Sequence, residues 1–391
     1  MKNKMKKISN LQFITIVLTT IKKVPLLIVI ILITALISGC NEENTDPNNQ
    51  YHYLPPEQIN DGWEISSLEE VGMDVSAIEE ITDNILNDQY KGIHSLLIIK
   101  DGFLVFEEYF KGYNSDDLQH IFSITKSVSS SLIGIAIDEG FLNGVEDSLL
   151  SFFPQYNITD SIKQTLNLEH ILTLTTGFDW DEKTHPYTDP QNSEYQMVQT
   201  DDWMEFVLKR PLSHNPGEIY NYNTGSVHLL SSVFKESTGL FANEFAAQYL
   251  FEPLGITDSF WHTDNQGFPN TGATVPGGLK MKARDVAKYG YLFLNDGKWK
   301  NTQVIPDSWI KESVIPRIAI DETEQLGYLW RLGHYDLHGN EVNYYLAVGA
   351  GGQTLIIIPD LDLIMVFLCW NNSQDADILI PMVLILNSIL N

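Results

Sequence analysis

A chain of 391 residues, 43% hydrophobic and 19% charged, is long enough to bury a sizeable core as one large domain or two smaller ones. Its formal net charge of −27 repels phosphate backbones and anionic head groups, which counts against nucleic acid as a partner. The six lysines before Cys40 (Lys2, Lys4, Lys6, Lys7, Lys22 and Lys23) stand among no acids, so the rest of the chain is more acidic still.

Four of those lysines lead into apolar stretches at 11–20 and 24–37, which end in Ile37-Ser38-Gly39-Cys40. A basic start, an apolar segment and small residues before a cut site predict a secretory signal over residues 1–39. The cysteine that follows resembles a bacterial lipobox, in which cleavage leaves Cys40 acylated; an uncleaved anchor with an incidental cysteine is the alternative. Residues 40–54 are polar without an apolar period and predict a tether. Localisation on the outer face of a bacterial membrane follows, held there through the lipid alone. Cys369 is the only other cysteine, so no intramolecular disulfide is expected and the folded part must rest on its core.

That folded part is expected over 55–391. Apolar residues at helical spacing after Asp74 predict a helix over 75–86. Two strand-like runs, 94–100 and 103–110, flank Asp101-Gly102 and predict a hairpin. An apolar helix is expected over 121–139, closed by Gly140. Residues 143–270 read as helices and turn-rich loops. Strand character returns at 343–348, 354–359 and 363–369, and an apolar helix over 378–390 follows. The expected class is α+β: a central antiparallel sheet assembled from both ends of the chain, flanked by helices, with a helical subdomain inserted.

A seryl nucleophile needs a neighbouring base. No G-x-S-x-G elbow is present, so a lysine one helical turn after the serine is the remaining route. S-x-x-K occurs three times. Ser308–Lys311 follows Pro306-Asp307 and should open a surface helix with a solvated lysine. Ser232–Lys235 falls inside a helix, where the hydroxyl faces a neighbouring turn. Ser123-Ile124-Thr125-Lys126 heads a nearly uncharged, hence buried, helix. Its serine would sit at the positive end of the helix dipole, and burial of its lysine favours a neutral amine. A capping serine beside a snorkelling lysine is the plainer alternative. Tyr222, in the turn-rich run from Asn215 to Gly225, is placed to project into a cleft and carry a proton; packing on its loop is equally open. Gly349-Ala350-Gly351-Gly352-Gln353 lies between two β runs, where glycines allow close backbone approach for an oxyanion hole, or serve a bulge.

In this order the three segments resemble the serine β-lactamase and penicillin-binding protein superfamily, in its class C-like branch with esterases and 6-aminohexanoate-dimer hydrolases. The resemblance runs from about Trp63 onward and is carried also by 132–142, 168–181, 215–230, 278–295 and 349–359. It implies Ser123 as nucleophile, Lys126 as base and Tyr222 as proton carrier to the leaving group. The N–H groups of Ser123 and Gln353 would form the oxyanion hole. Thr224, Gly351, Gly352 and Trp180 would contact substrate. Two departures stand out. The second motif is Tyr222-Asn223-Thr224 where the family usually has Tyr-x-Asn. The third, Ala350-Gly351-Gly352, lacks the Lys or His that helps relatives hold a substrate carboxylate. That loss disfavours penicillins and favours a neutral or amine-bearing ester or amide, unless Arg331 replaces the cation. The expected activity is a serine hydrolase acting outside the cytoplasm on a small ester, amide or peptide. A D-alanyl peptidase or β-lactamase, and a non-catalytic sensor or binding module, are the alternatives. No metal or other cofactor is expected: His334 and His338 lie in a hairpin-like stretch, and no nucleotide-binding loop occurs.

Overall fold

Asp74 opens α1 (Val75–Leu86) by accepting the N–H groups of Ser76 and Ala77, and Ile78, Ile81 and Ile85 form its buried face. The computed structural model to which this helix belongs describes residues 50–274, 277–370 and 376–390. The expected signal and Cys40 lie outside the described residues. Chain contacts separate Met1–His52 from Tyr53–Asn391, and the architecture below is that of the second unit.

β1 (Ile93–Lys100) and β2 (Phe103–Tyr109) are joined by Asp101 and Gly102, both at positive φ (53° and 83°), the backbone that an Asp-Gly hairpin turn demands. After the short β3 (Gln119–His120) comes α2 (Ile124–Asp138), whose residues from Ile124 to Ala136 are all buried. It starts one residue after Ser123. Short helices then follow: α3 (Leu168–Leu172), α4 (Ser193–Val198), α5 (Trp203–Lys209), α6 (Thr224–His228), α7 (Leu230–Thr238) and α8 (Ala242–Ala246). β4 (Phe260–Trp261) and β5 (Leu279–Met281) pair beside β3. Next come α9 (Ala283–Leu294), the β6 (Lys298–Trp299) and β7 (Thr302–Gln303) ribbon, and α10 (Asp307–Ser313).

The main sheet has eight strands in the order β2-β1-β13-β12-β11-β10-β9-β8, all neighbours antiparallel. Its last six are β8 (Ile318–Ala319), β9 (Gln325–Leu326), β10 (Arg331–Leu337), β11 (Asn340–Gly349), β12 (Gln353–Ile358) and β13 (Leu363–Cys369). β13 pairs with β1, with Ile98 opposite Met365, so both ends of the chain build one sheet. Every residue of β12 and β13 is buried, which explains why they read as continuous apolar runs rather than alternating ones. α9 lies across β1, β12 and β13, and α11 (Leu379–Asn387) packs on α1.

The fold class is the expected one, but the sheet is wider. β10 alternates polar and apolar residues in a half-exposed position, and β8 and β9 have two residues each, too short to leave a period. The middle of the chain carries short helices and turns, as its composition foretold.

Candidate active site

The turn before α2 sets the serine. Phe122 takes a positive φ of 44°, a conformation unfavourable for a bulky residue. Its ring is stacked between His120 and Trp370, at centroid distances of 5.0 and 5.6 Å, and this holds the strained backbone. Ser123 then occupies the N-cap position in helical geometry (φ −69°, ψ −4°) and makes no side-chain cap bond, so its hydroxyl is not spent on the helix. The capping alternative does not apply.

One turn on, Lys126 is 4% exposed and does not snorkel. Its Nζ lies 3.0 Å from Ser123 Oγ and donates a second bond to the Gly272 carbonyl. Gly272 must lack a side chain, because a Cβ there would meet the Thr224 carbonyl at 2.2 Å. The Tyr222 hydroxyl donates to Ser123 Oγ at 2.8 Å. Two groups from distant parts of the chain thus meet at one oxygen.

Tyr222 owes its position to Asn223, which caps α6 by accepting the Ser226 N–H at 2.8 Å. Lys126 Nζ and Lys183 Nζ lie 4.9 and 4.0 Å from its ring centroid. Burial by itself raises the phenol; the ammonium groups of Lys126 and Lys183 outweigh burial and hold it below the ordinary tyrosine range.

Sequence reasoning missed Glu182. This carboxylate is 2% exposed and accepts the Trp180 indole N–H (2.6 Å), the Thr224 N–H (2.8 Å) and the Thr224 hydroxyl (2.8 Å). Thr224 and Trp180, expected against substrate, are accordingly turned onto Glu182, and Trp180 also packs on Phe206. The only signal in the sequence is an extra acid after Asp179-Trp180-Asp181, ordinary for a loop. Arg331 is also spent: it is ion-paired to Glu324 and does not stand in for the missing cation. Ser308–Lys311 is a surface pair of residues, with Lys311 bound to Asp307 at 2.7 Å.

In the third motif, Gly349 makes the close approach: a Cβ there would meet the Ile121 carbonyl at 2.5 Å and Phe122 Cβ at 3.0 Å. The next residue, Ala350, is exposed, and the Ser123 amide has no backbone acceptor among the described residues. Gly351 and Gly352 follow at positive φ (81° and 95°), against Trp370 and Ala376. Gln353 is 2% exposed, opposite Gly349 in the ladder, and its side chain is bonded to both the N–H and the carbonyl of Cys369.

A family model described as Beta-lactamase matches residues 85–380. The chain is similar to the 6-aminohexanoate-dimer hydrolase of Paenarthrobacter ureafaciens, 23% identical over 290 residues that cover 70% of this chain and 71% of that one. Among solved structures, the octameric penicillin-binding protein homologue of Pyrococcus abyssi shares the fold with a TM-score of 0.60 at 21% identity, covering 79% of this chain and 77% of that one. EstCE1, a hydrolase with promiscuous acyltransferase activity, does so with a TM-score of 0.65 at 12% identity, covering 81% and 98%.

Proposed function

Given that the chain belongs to the beta-lactamase family, we propose that it is a serine hydrolase that forms an acyl-enzyme at Ser123 from a small ester or amide outside the cytoplasm. The observation that carries this reading is the convergence of Lys126 Nζ (3.0 Å) and the Tyr222 hydroxyl (2.8 Å) on Ser123 Oγ. A weak nucleophile gains both an acceptor for its proton and a donor for the leaving group.

In the proposed step Ser123 Oγ attacks the carbonyl carbon while its proton passes to Nζ of Lys126. The oxyanion faces the N–H of Ser123, at the head of α2, and a backbone N–H of the turn that ends in Gln353. Tyr222 gives its proton to the departing alcohol or amine and is reprotonated through Lys126, whose Nζ lies by its ring. Water then repeats the sequence on the acyl-enzyme. The carbonyl of Gly272 keeps the amine aimed at the serine through both halves.

A third motif without a cationic side chain supports esters or amides over β-lactams. A chromogenic cephalosporin beside a short-chain nitrophenyl ester tests that ranking; rapid cephalosporin turnover without ester hydrolysis reverses it. The export proposal rests on the basic, apolar and Ile-Ser-Gly-Cys run before residue 41. Palmitate incorporation lost in Cys40→Ala supports it, and incorporation unaffected by that change refutes it.

A further inference from the structure

Lys183 is the unclaimed charge at this site. It follows the buried Glu182 on an exposed loop, yet its backbone is pinned. Asp181 Oδ1 accepts the N–H groups of Lys183 (3.2 Å) and Thr184 (3.0 Å), and the Asn192 amide donates to the carbonyls of Glu182 (3.3 Å) and His185 (2.9 Å). From that fixed point its Nζ reaches over the ring of Tyr222.

The acids around it are already engaged. Asp181 binds the Thr184 hydroxyl, Asp179 pairs with Arg210 at 3.6 Å, and Glu182 is saturated by Trp180 and Thr224. Lys183 joins no ion pair among the described residues, in a chain with 51 acidic side chains. Its exposed ammonium, outside any such pair, lies 4.0 Å from the ring of the phenol whose hydroxyl meets Ser123 Oγ. Lys126 is buried under the same ring and bound to Ser123 and Gly272, so it is not open to an anion.

We propose that Lys183 is a specificity-determining residue, whose ammonium receives a carboxylate carried on the leaving portion of a linear amide or ester. The assignment rests on the hydrolase reading for the term leaving portion, and replaces the neutral or amine-bearing substrate expected from the third motif with one that carries a carboxylate. The contact is solvent-facing, so its strength falls with ionic strength.

The test uses full-length Ser123→Ala protein, which binds without turnover, and calorimetry with two probes, N-acetyl-6-aminohexanoate and its N-methylamide. The carboxylate probe binds more tightly than the amide, by about three- to fivefold at low salt. Lys183→Met brings the ratio of the two dissociation constants to near one, and Lys183→Arg retains the preference. An unchanged ratio in Lys183→Met overturns the proposal, as does failure of the carboxylate probe to bind the protein that keeps Lys183. Fluorophosphonate labelling of the unmodified protein separates the two readings. Labelling at Ser123 with an unchanged ratio sinks only the role of Lys183, whereas no labelling sinks the hydrolase reading itself.

Discussion

A tyrosine phenol ordinarily loses its proton near pH 10, and burial alone would push Tyr222 higher. Lys126 and Lys183 reverse that direction. If the phenol must carry a proton to the leaving group, activity is present below its pKa and lost as pH rises through it. The alkaline limb of kcat/KM therefore lies below the ordinary tyrosine value. Lys183→Met removes one of the two cations and moves that limb upward; a limb that does not move shows that Lys183 leaves Tyr222 untouched. Glu182 offers a test of the frame around the phenol. Glu182→Gln places an amide N–H2 where two N–H groups and a hydroxyl already point, and should cost about 2 kcal/mol, read from the urea midpoint. Ser123 and Lys126 were legible because an S-x-x-K repeat on an uncharged helix is physically distinct from the same repeat on a surface helix. Glu182 and Lys183 were not, because an acid and a base in a polar loop acquire meaning only from Thr224 and Tyr222, which lie some 40 residues away in the chain.

Elements place these side chains by close approach. β11 touches the turn before α2 at Gly349, where a methyl group would collide with the Ile121 carbonyl. Gly349→Ala should push strand and turn apart and lower kcat by at least about tenfold, with a smaller change in KM, because the oxyanion contact exists mainly in the transition state. A second device ties α6 to the loop that supplies Gly272. His228 Nε2 and Asp264 Oδ2 are 2.9 Å apart in a dry interior, and Thr271 bonds the carbonyls of Val227 and His228. Burial raises the Asp264 carboxyl; the bond to His228 and the N–H groups of Phe268 and Gln266 outweigh it and hold the group below the usual carboxylate range. A depressed carboxyl stabilises the fold above its unfolded pKa, and the contribution fades as pH falls through the folded one. Asp264→Asn should thus lower the Tm at neutral pH by an amount that shrinks in acid; a gap that persists there assigns the loss to packing. The hairpin, α1 and the last strands were readable from turn chemistry and apolar runs. β8 and β9 were hidden because two residues carry no period, and β10 because its half-exposed face is polar.

At the scale of the whole molecule, the first and last strands share one sheet, and α2 is buried between that sheet and the helical middle, with Ser123 half-buried at its head. That arrangement explains how a hydroxyl from residue 123, a phenol from residue 222 and a glycine from residue 349 become neighbours. That strands from both ends of the chain join one sheet was legible as the economical reading, but the pairing of β1 with β13 and its register were not. Every proposed step requires Ser123 to be an activated nucleophile. The direct measurement is intact-mass analysis with peptide mapping after exposure of the folded protein to a fluorophosphonate. One adduct on Ser123 is expected, absent in Ser123→Ala and formed at least about a hundredfold more slowly in Lys126→Ala. A folded protein that takes no label, or takes it on another residue, contradicts the account.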